Sequence, residues 1–189
     1  MLNASVLDRY PGVDMETVQA LLEEKCREDK HKIIVLDDDP TGVQTVHDIS
    51  VYTDWSYDSV KRGFEEDKKL FYILTNSRGF TVEQTTRAHQ EIGETVAKVS
   101  EETGIDYVIV SRGDSTLRGH YPLETELLAG AEETYRGRAV DGEIICPYFK
   151  EGGRFTIGNV HYVKYGNELV PAGETEFAGD KTFGYHCSN

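Results

Sequence analysis

The chain has little cysteine, few positive charges and no long apolar runs, and each shortage excludes something. Its three cysteines, Cys26, Cys146 and Cys187, are odd in number and widely spaced, which fits neither a disulfide framework nor a zinc knuckle. Basic residues number 20 against 34 acidic ones, for a net charge of −14. Nucleic acids and anionic membranes need a basic face to neutralise their phosphates, so neither is expected as a partner. No apolar stretch approaches the ~18–20 residues that span a bilayer. The opening segment lacks a basic region followed by an apolar one, so it does not read as a secretory signal. The expectation is a reduced, cytoplasmic protein. What the chain does have, 189 residues of which 38% are hydrophobic and 29% charged, suffices for one globular domain with a proper core and a small appendage.

The hydrophobic pattern alternates between short runs and helical periodicity. Val18, Leu21 and Leu22 recur at helical spacing after Asp14, a fitting N-cap. Lys32–Asp37 is a nearly continuous apolar run ending in acids, the pattern of a buried parallel strand. Further strands are predicted over 49–53, 69–75, 106–111 and 143–146, with helices over 57–66, 81–103 and 123–135 between them. Thr81 would cap the long helix and Gly104 would close it. Strands alternating with helices imply an α/β fold with a mostly parallel, doubly wound, Rossmann-like sheet. Beyond Pro147 the texture changes to two short β-like runs around Gly158-Asn159, which suits a tight hairpin. A loop-like stretch follows over 170–178, and the end at 184–189 reads as cut. Residues 1–31 form a helical extension before the main domain at 32–189.

Ligands of open parallel sheets bind beyond the carboxyl ends of the strands. Three predicted strands end there in polar clusters that would converge on one crevice. The first is Asp37-Asp-Asp-Pro-Thr-Gly42. Alternation along a strand would turn Asp37 and Asp39 one way and Asp38 the other. Such carboxylates can bind sugar hydroxyls, hold Mg²⁺ or take a proton from a nucleophilic hydroxyl; the plainer reading is an Asp-rich turn shaped by Pro40 and Gly42. The second cluster offers Asn76, Ser77 and Arg78, where the arginine can fork a carboxylate or pair with a surface acid. In the third, Arg112 and Arg118 bracket Asp114-Ser115-Thr116, with Gly113 and Gly119 beside them. It reads as an anion site or as a capped helix start with ion-paired arginines. No phosphate-cradling loop and no dinucleotide fingerprint is present. The six histidines show no metal-ligand spacing.

Taken in order, Asp38–Gly42, Thr75–Arg78, Ser111–His120, Cys146–Arg154, Asn159–Val163, Val170–Phe177 and Phe183–Tyr185 resemble the N-terminal domain of the four-carbon acid sugar kinase family. The resemblance runs from about Lys32 to the last residue. It implies that ATP phosphorylates the terminal hydroxyl of a four-carbon sugar acid such as threonate, erythronate or a 3-oxo-tetronate. It further implies that this domain holds the acid, while ATP with Mg²⁺ is held mainly by a separate C-terminal nucleotide-binding domain. By the same resemblance Asp39 would bind substrate hydroxyls and Arg78 the carboxylate or hydroxyl edge. Arg112, Gly113, Asp114 and Ser115 would complete the pocket, and Arg118 is added to it by proximity. No catalytic base is assigned. The partners expected are a four-carbon sugar acid, a nucleotide-binding domain or chain, and a further copy of the chain in a homo-oligomer. Nothing in the chain itself resembles an ATP site, so the 189 residues alone are expected to be inactive as a kinase.

Two other readings stand beside this one. Asp37-Asp-Asp39-Pro-Thr41 also fits the nucleophile loop of haloacid-dehalogenase-like phosphatases, with Asp37 as nucleophile and Asp39 as acid/base around Mg²⁺. That reading leaves the matches beyond Arg118 without a role. The other is a non-catalytic module that binds a sugar acid.

Overall fold

The computed structural model describes residues 1–44 and 46–180. In chain order the elements are β1 (Leu2–Asn3), α1 (Met15–Glu28), β2 (Lys32–Asp37), β3 (Val51–Tyr52), α2 (Tyr57–Glu65), β4 (Leu70–Leu74), α3 (Val82–Thr103), β5 (Tyr107–Arg112), α4 (Leu123–Arg136), β6 (Arg154–Ile157), β7 (Val160–Tyr165) and β8 (Glu168–Pro171), with short 3-10 turns between some of them. They divide into two compact units: His31–Ile145, and Met1–Lys30 together with the residues from Cys146 onward.

The His31–Ile145 unit is the expected α/β arrangement, a four-stranded parallel sheet flanked by helices, in the order β3-β4-β2-β5. Strand periodicity explains its core. Ile34 and Leu36 of β2, Phe71 and Ile73 of β4, and Tyr107 of β5 share one face and pack with Val60, Phe64, Ile92, Val96, Val99 and Leu128 from the three helices. On β5 the alternate residues Val108 and Val110 are exposed. α3 starts at a reciprocal capping box between Thr81 and Gln84, and it ends at Gly104 in the left-handed region, both as its sequence predicts. Gly93 lets α3 and α4 meet closely, because a Cβ there would stand 2.5 Å from that of Ala131.

The other unit is an antiparallel sheet of order β1-β8-β7-β6. Its β6–β7 hairpin turns at Gly158 and Asn159, both at positive φ (56° and 65°), as a tight two-residue turn demands. Leu169 is fully buried and packs with Ala4 and Tyr162. Asp14 caps α1 by accepting from the amides of Glu16 and Thr17, and Val18, Leu21 and Leu22 of that helix are exposed. The opening residues share a sheet with the later part of the chain, since Leu2 pairs with Leu169.

Two expectations need correction. Residues 143–146 join no sheet, and Ile144 is 95% exposed. Three apolar residues in a row signal β propensity, but a strand also needs a neighbouring edge, and Pro147 removes one donor at its end. The loop-like stretch over 170–178 begins inside β8, whose Val170 and Pro171 pair with Val163 and Tyr162. The readings placed on Phe183–Tyr185 and on 184–189 lie outside the described residues.

Candidate functional site

β2 lies between β4 and β5, and the register sets Asp37 beside Leu74 on one side and Arg112 on the other. The three polar clusters therefore leave the sheet together. Backbone bonds tie their roots to one another. The Thr75 amide and hydroxyl donate to the Asp37 carbonyl (2.9 and 3.0 Å), the Arg78 amide donates to the Asp38 carbonyl (3.2 Å), and the Asp38 amide donates to the Arg112 carbonyl (3.4 Å). Asn76 takes up a left-handed conformation, φ 52°, that asparagine tolerates well, and this turns the chain so that Arg78 faces back over β2.

Arg78 is the hub. Its Nε and Nη2 donate to the two oxygens of Asp38 (3.0 and 2.9 Å), while Nη1 donates to Asp39 Oδ2 (2.7 Å). Its Nη2 also lies 3.8 Å from Asp114 Oδ1. Burial works against the charge of Arg78, but Asp38, Asp114 and Asp39 outweigh it and hold the guanidinium protonated. Asp39 closes a tight turn by accepting from the Thr41 amide (2.7 Å) and the Thr41 hydroxyl. That hydroxyl bond keeps Asp39 below the ordinary carboxylate range.

Asp37, two residues earlier, has the opposite environment. It is completely buried. The chain folds back so closely that a Cβ on Gly42 would stand 2.1 Å from each of its carboxylate oxygens. Oδ1 accepts from Arg112 Nη1 (3.1 Å), and Oδ2 has no hydrogen-bond partner among the described residues. Burial pushes the Asp37 pKa up against the pull of Arg112, and it pushes Asp38 up against Arg78. A nucleophile has to reach its target, so a completely buried Asp37 does not suit the phosphatase reading.

The third cluster folds on itself. Asp114 Oδ2 accepts from Arg118 Nε (2.8 Å), the Thr116 amide (3.2 Å) and the Thr116 hydroxyl. Burial works upward on Asp114, but Arg118 and Thr116 outweigh it and hold the carboxyl below its usual range. Leu117 sits at φ 65°, unusual for a branched side chain. Arg112 differs from Arg78: it is about one-third exposed, only its Nη1 is engaged among the described residues, and Asp38 Oδ1 lies 3.7 Å from that atom.

Of the residues singled out from the sequence, Asp39, Arg78, Arg112, Asp114 and Arg118 thus lie in one ion-paired cluster. Gly113 and Ser115 lie in the same loop, outside the ion pairs. Asp38, Thr41, Gly42 and Thr116 belong to the cluster although the sequence reading gave them no binding role. Asp38 does not turn away from Asp39 as strand alternation suggests, and both pair with Arg78. β2 ends at Asp37, so the alternation stops there. The signal for Thr41 and Thr116 was present as Asp-x-Thr, twice, each with a carboxylate followed two residues later by a hydroxyl that folds back on it.

A search of curated proteins finds no match to this chain. A family model described as the sugar-binding N-terminal domain matches residues 33–189, from the second residue of β2 onward. That span contains every strand end and every loop of the cluster, and the chain belongs to the sugar-binding N-terminal domain family.

Proposed function

We propose that the chain is the acid-holding part of an ATP-dependent four-carbon acid sugar kinase, with the sugar acid seated on the strand-end cluster of the His31–Ile145 unit. The observation that carries this reading is the difference between the two arginines. Arg78 has three of its N–H groups committed to Asp38 and Asp39, so it shapes the site from behind. Among the described residues, Arg112 has no partner on Nε or Nη2, and its side chain is about one-third exposed, which leaves a planar fork for the carboxylate of the acid. Asp39 and Asp114, both held ionised, accept from the hydroxyls. A sugar acid needs both kinds of group side by side, and an acidic protein has to concentrate positive charge locally to provide the first.

On this reading Mg²⁺, and the ATP it accompanies, are held by a partner domain and not by the strand-end cluster. The cluster's carboxylates are each turned to a guanidinium or buried, and no group of three or more potential ligands among the described residues is arranged to hold a metal ion. A nucleotide-binding domain or chain is the partner this reading requires, and the 189 residues by themselves transfer no phosphoryl group. Calorimetric titration with threonate, erythronate and ATP–Mg²⁺ tests the proposal. Wild type is expected to bind one of the acids and not ATP. Arg112→Ala should weaken that binding by at least about tenfold, the scale of one lost charge-assisted contact. ATP binding without acid binding, or acid binding indifferent to Arg112→Ala, would overturn it.

A further inference from the structure

We propose that His120 is a positioning residue: its imidazole ties the Arg112–Gly119 loop to the buried hydroxyl of Thr85 on α3, and so fixes where Asp114 stands relative to Arg78. The role assigned to Asp114 rests on the sugar-acid reading; the tie itself does not.

The loops carrying Arg78 and Asp114 leave β4 and β5, which flank β2 without touching each other. Between the loops, Arg78 Nη2 and Asp114 Oδ1 are 3.8 Å apart, too far for a hydrogen bond. The bonds of Arg112 to Asp37 and Asp38 hold only the root of the Asp114 loop. Asp114, Thr116 and Arg118 stiffen the loop internally.

His120 ties the far end of this loop to α3. Its Nδ1 lies 2.8 Å from Thr85 Oγ1. Thr85 is completely buried and lies in the first turn of a helix whose N-cap, Thr81, follows Arg78 by only three residues. The Thr85 carbonyl accepts from Nδ1 of His89, itself buried, at 2.9 Å. Thr85 is thus fixed relative to Arg78, and His120 carries that fixity to the C-terminal end of the other loop, beyond Asp114. Past His120 the chain enters α4, held against α3 at Gly93 and Ala131. The loop is therefore clamped at both ends, and any displacement of its tip moves a hydroxyl-binding carboxylate. Displacements of about 1 Å are enough to spoil such a constellation.

The test uses the whole chain with Thr85→Val, Thr85→Ser, His120→Ala and His120→Asn. Hydrogen exchange of the Gly113–Gly119 amides is measured without ligand, and affinity for threonate and erythronate by calorimetry. Thr85→Val and His120→Ala should speed loop exchange and weaken binding, each about tenfold, the scale of one lost hydrogen bond. Thr85→Ser keeps the hydroxyl, and His120→Asn places an amide where Nδ1 was, so both should stay near wild type. Exchange unchanged in Thr85→Val and His120→Ala, or raised equally in all four, would overturn the proposal. Amides of β2 and β4 report any global unfolding, and if Thr85→Val unfolds, the more exposed His120→Ala decides. If wild type binds neither acid, the sugar-acid reading fails while loop exchange still decides the tie.

Discussion

The two units of this chain bury polar side chains very differently. Among the described residues, His31–Ile145 buries ten polar or charged side chains, and the antiparallel unit buries one, His161. Five of the ten, Asp37, Asp38, Thr75, Ser77 and Thr116, stand where β2, β4 and β5 release their loops. Burying a charge is unfavourable unless a partner comes with it, so this concentration is maintained by the arginines that run through it. The antiparallel unit has an ordinary small core around Leu169. The His31–Ile145 unit adds an electrostatically organised cluster to its larger apolar core, whereas the antiparallel unit rests mainly on packing.

The sharpest way to break that contrast is Arg78→Ala. It strips the fork from Asp38, whose side chain is only 8% exposed, and leaves a buried carboxylate with only the 3.7 Å contact to Arg112. Removing one partner of a buried pair costs about 3–5 kcal/mol, and the lower end is expected because Arg78 retains some solvent contact. The midpoint of urea unfolding checks it. A shift no larger than that of a surface arginine variant would show that the cluster does not support the fold.

Leu169→Ala sharpens the comparison from the other side. Truncating a completely buried leucine is expected to cost about 2–3 kcal/mol. Its signature should be regional, with faster hydrogen exchange in β7 and β8 and little change in β2 and β4. Uniform acceleration throughout the chain would mean that the two regions share one cooperative unit.

The smallest effect concerns acid. At the opposite end of the parallel sheet, Asp106 is paired with Arg136 and with Arg138 (2.8 Å), whose hydrogen bonds lower its pKa from 3.8 to about 2. A carboxylate with a lowered folded pKa binds fewer protons folded than unfolded. Its stabilisation is therefore complete above 3.8 and is lost as the pH falls towards about 2. Asp106→Asn should flatten the loss of stability across that window, read from urea midpoints at successive pH values. The effect is small because Asp106 is one-third exposed and solvent screens it. An unchanged acid limb would assign the loss to other carboxylates.

Much of this was legible from local chemistry. Asp14 and Thr81 cap helices, Gly104 ends one, and Gly158-Asn159 turns a hairpin, because each of those events is decided within a few residues. The convergence of the three clusters also followed, since parallel strands present their carboxyl ends together. Long-range partners were not legible. The pairing of Leu2 with Leu169 joins residues at opposite ends of the chain, and 143–146 carried strand propensity but found no edge. The division of labour between the two arginines was equally hidden. Arg78 and Arg112 both follow hydrophobic strands, and only the folded distances show which one has its donors taken.

The contact of Gly42 with Asp37 couples two positions of the sequence. With 2.1 Å between a would-be Cβ and the carboxylate, residue 42 cannot grow while residue 37 keeps its length. If residue 37 shrinks, the space opens and the demand for glycine relaxes. Sequences that fold this loop the same way should therefore change the two positions together, so that a pair of letters five places apart becomes a marker for the buried acid in chains whose structures have never been seen.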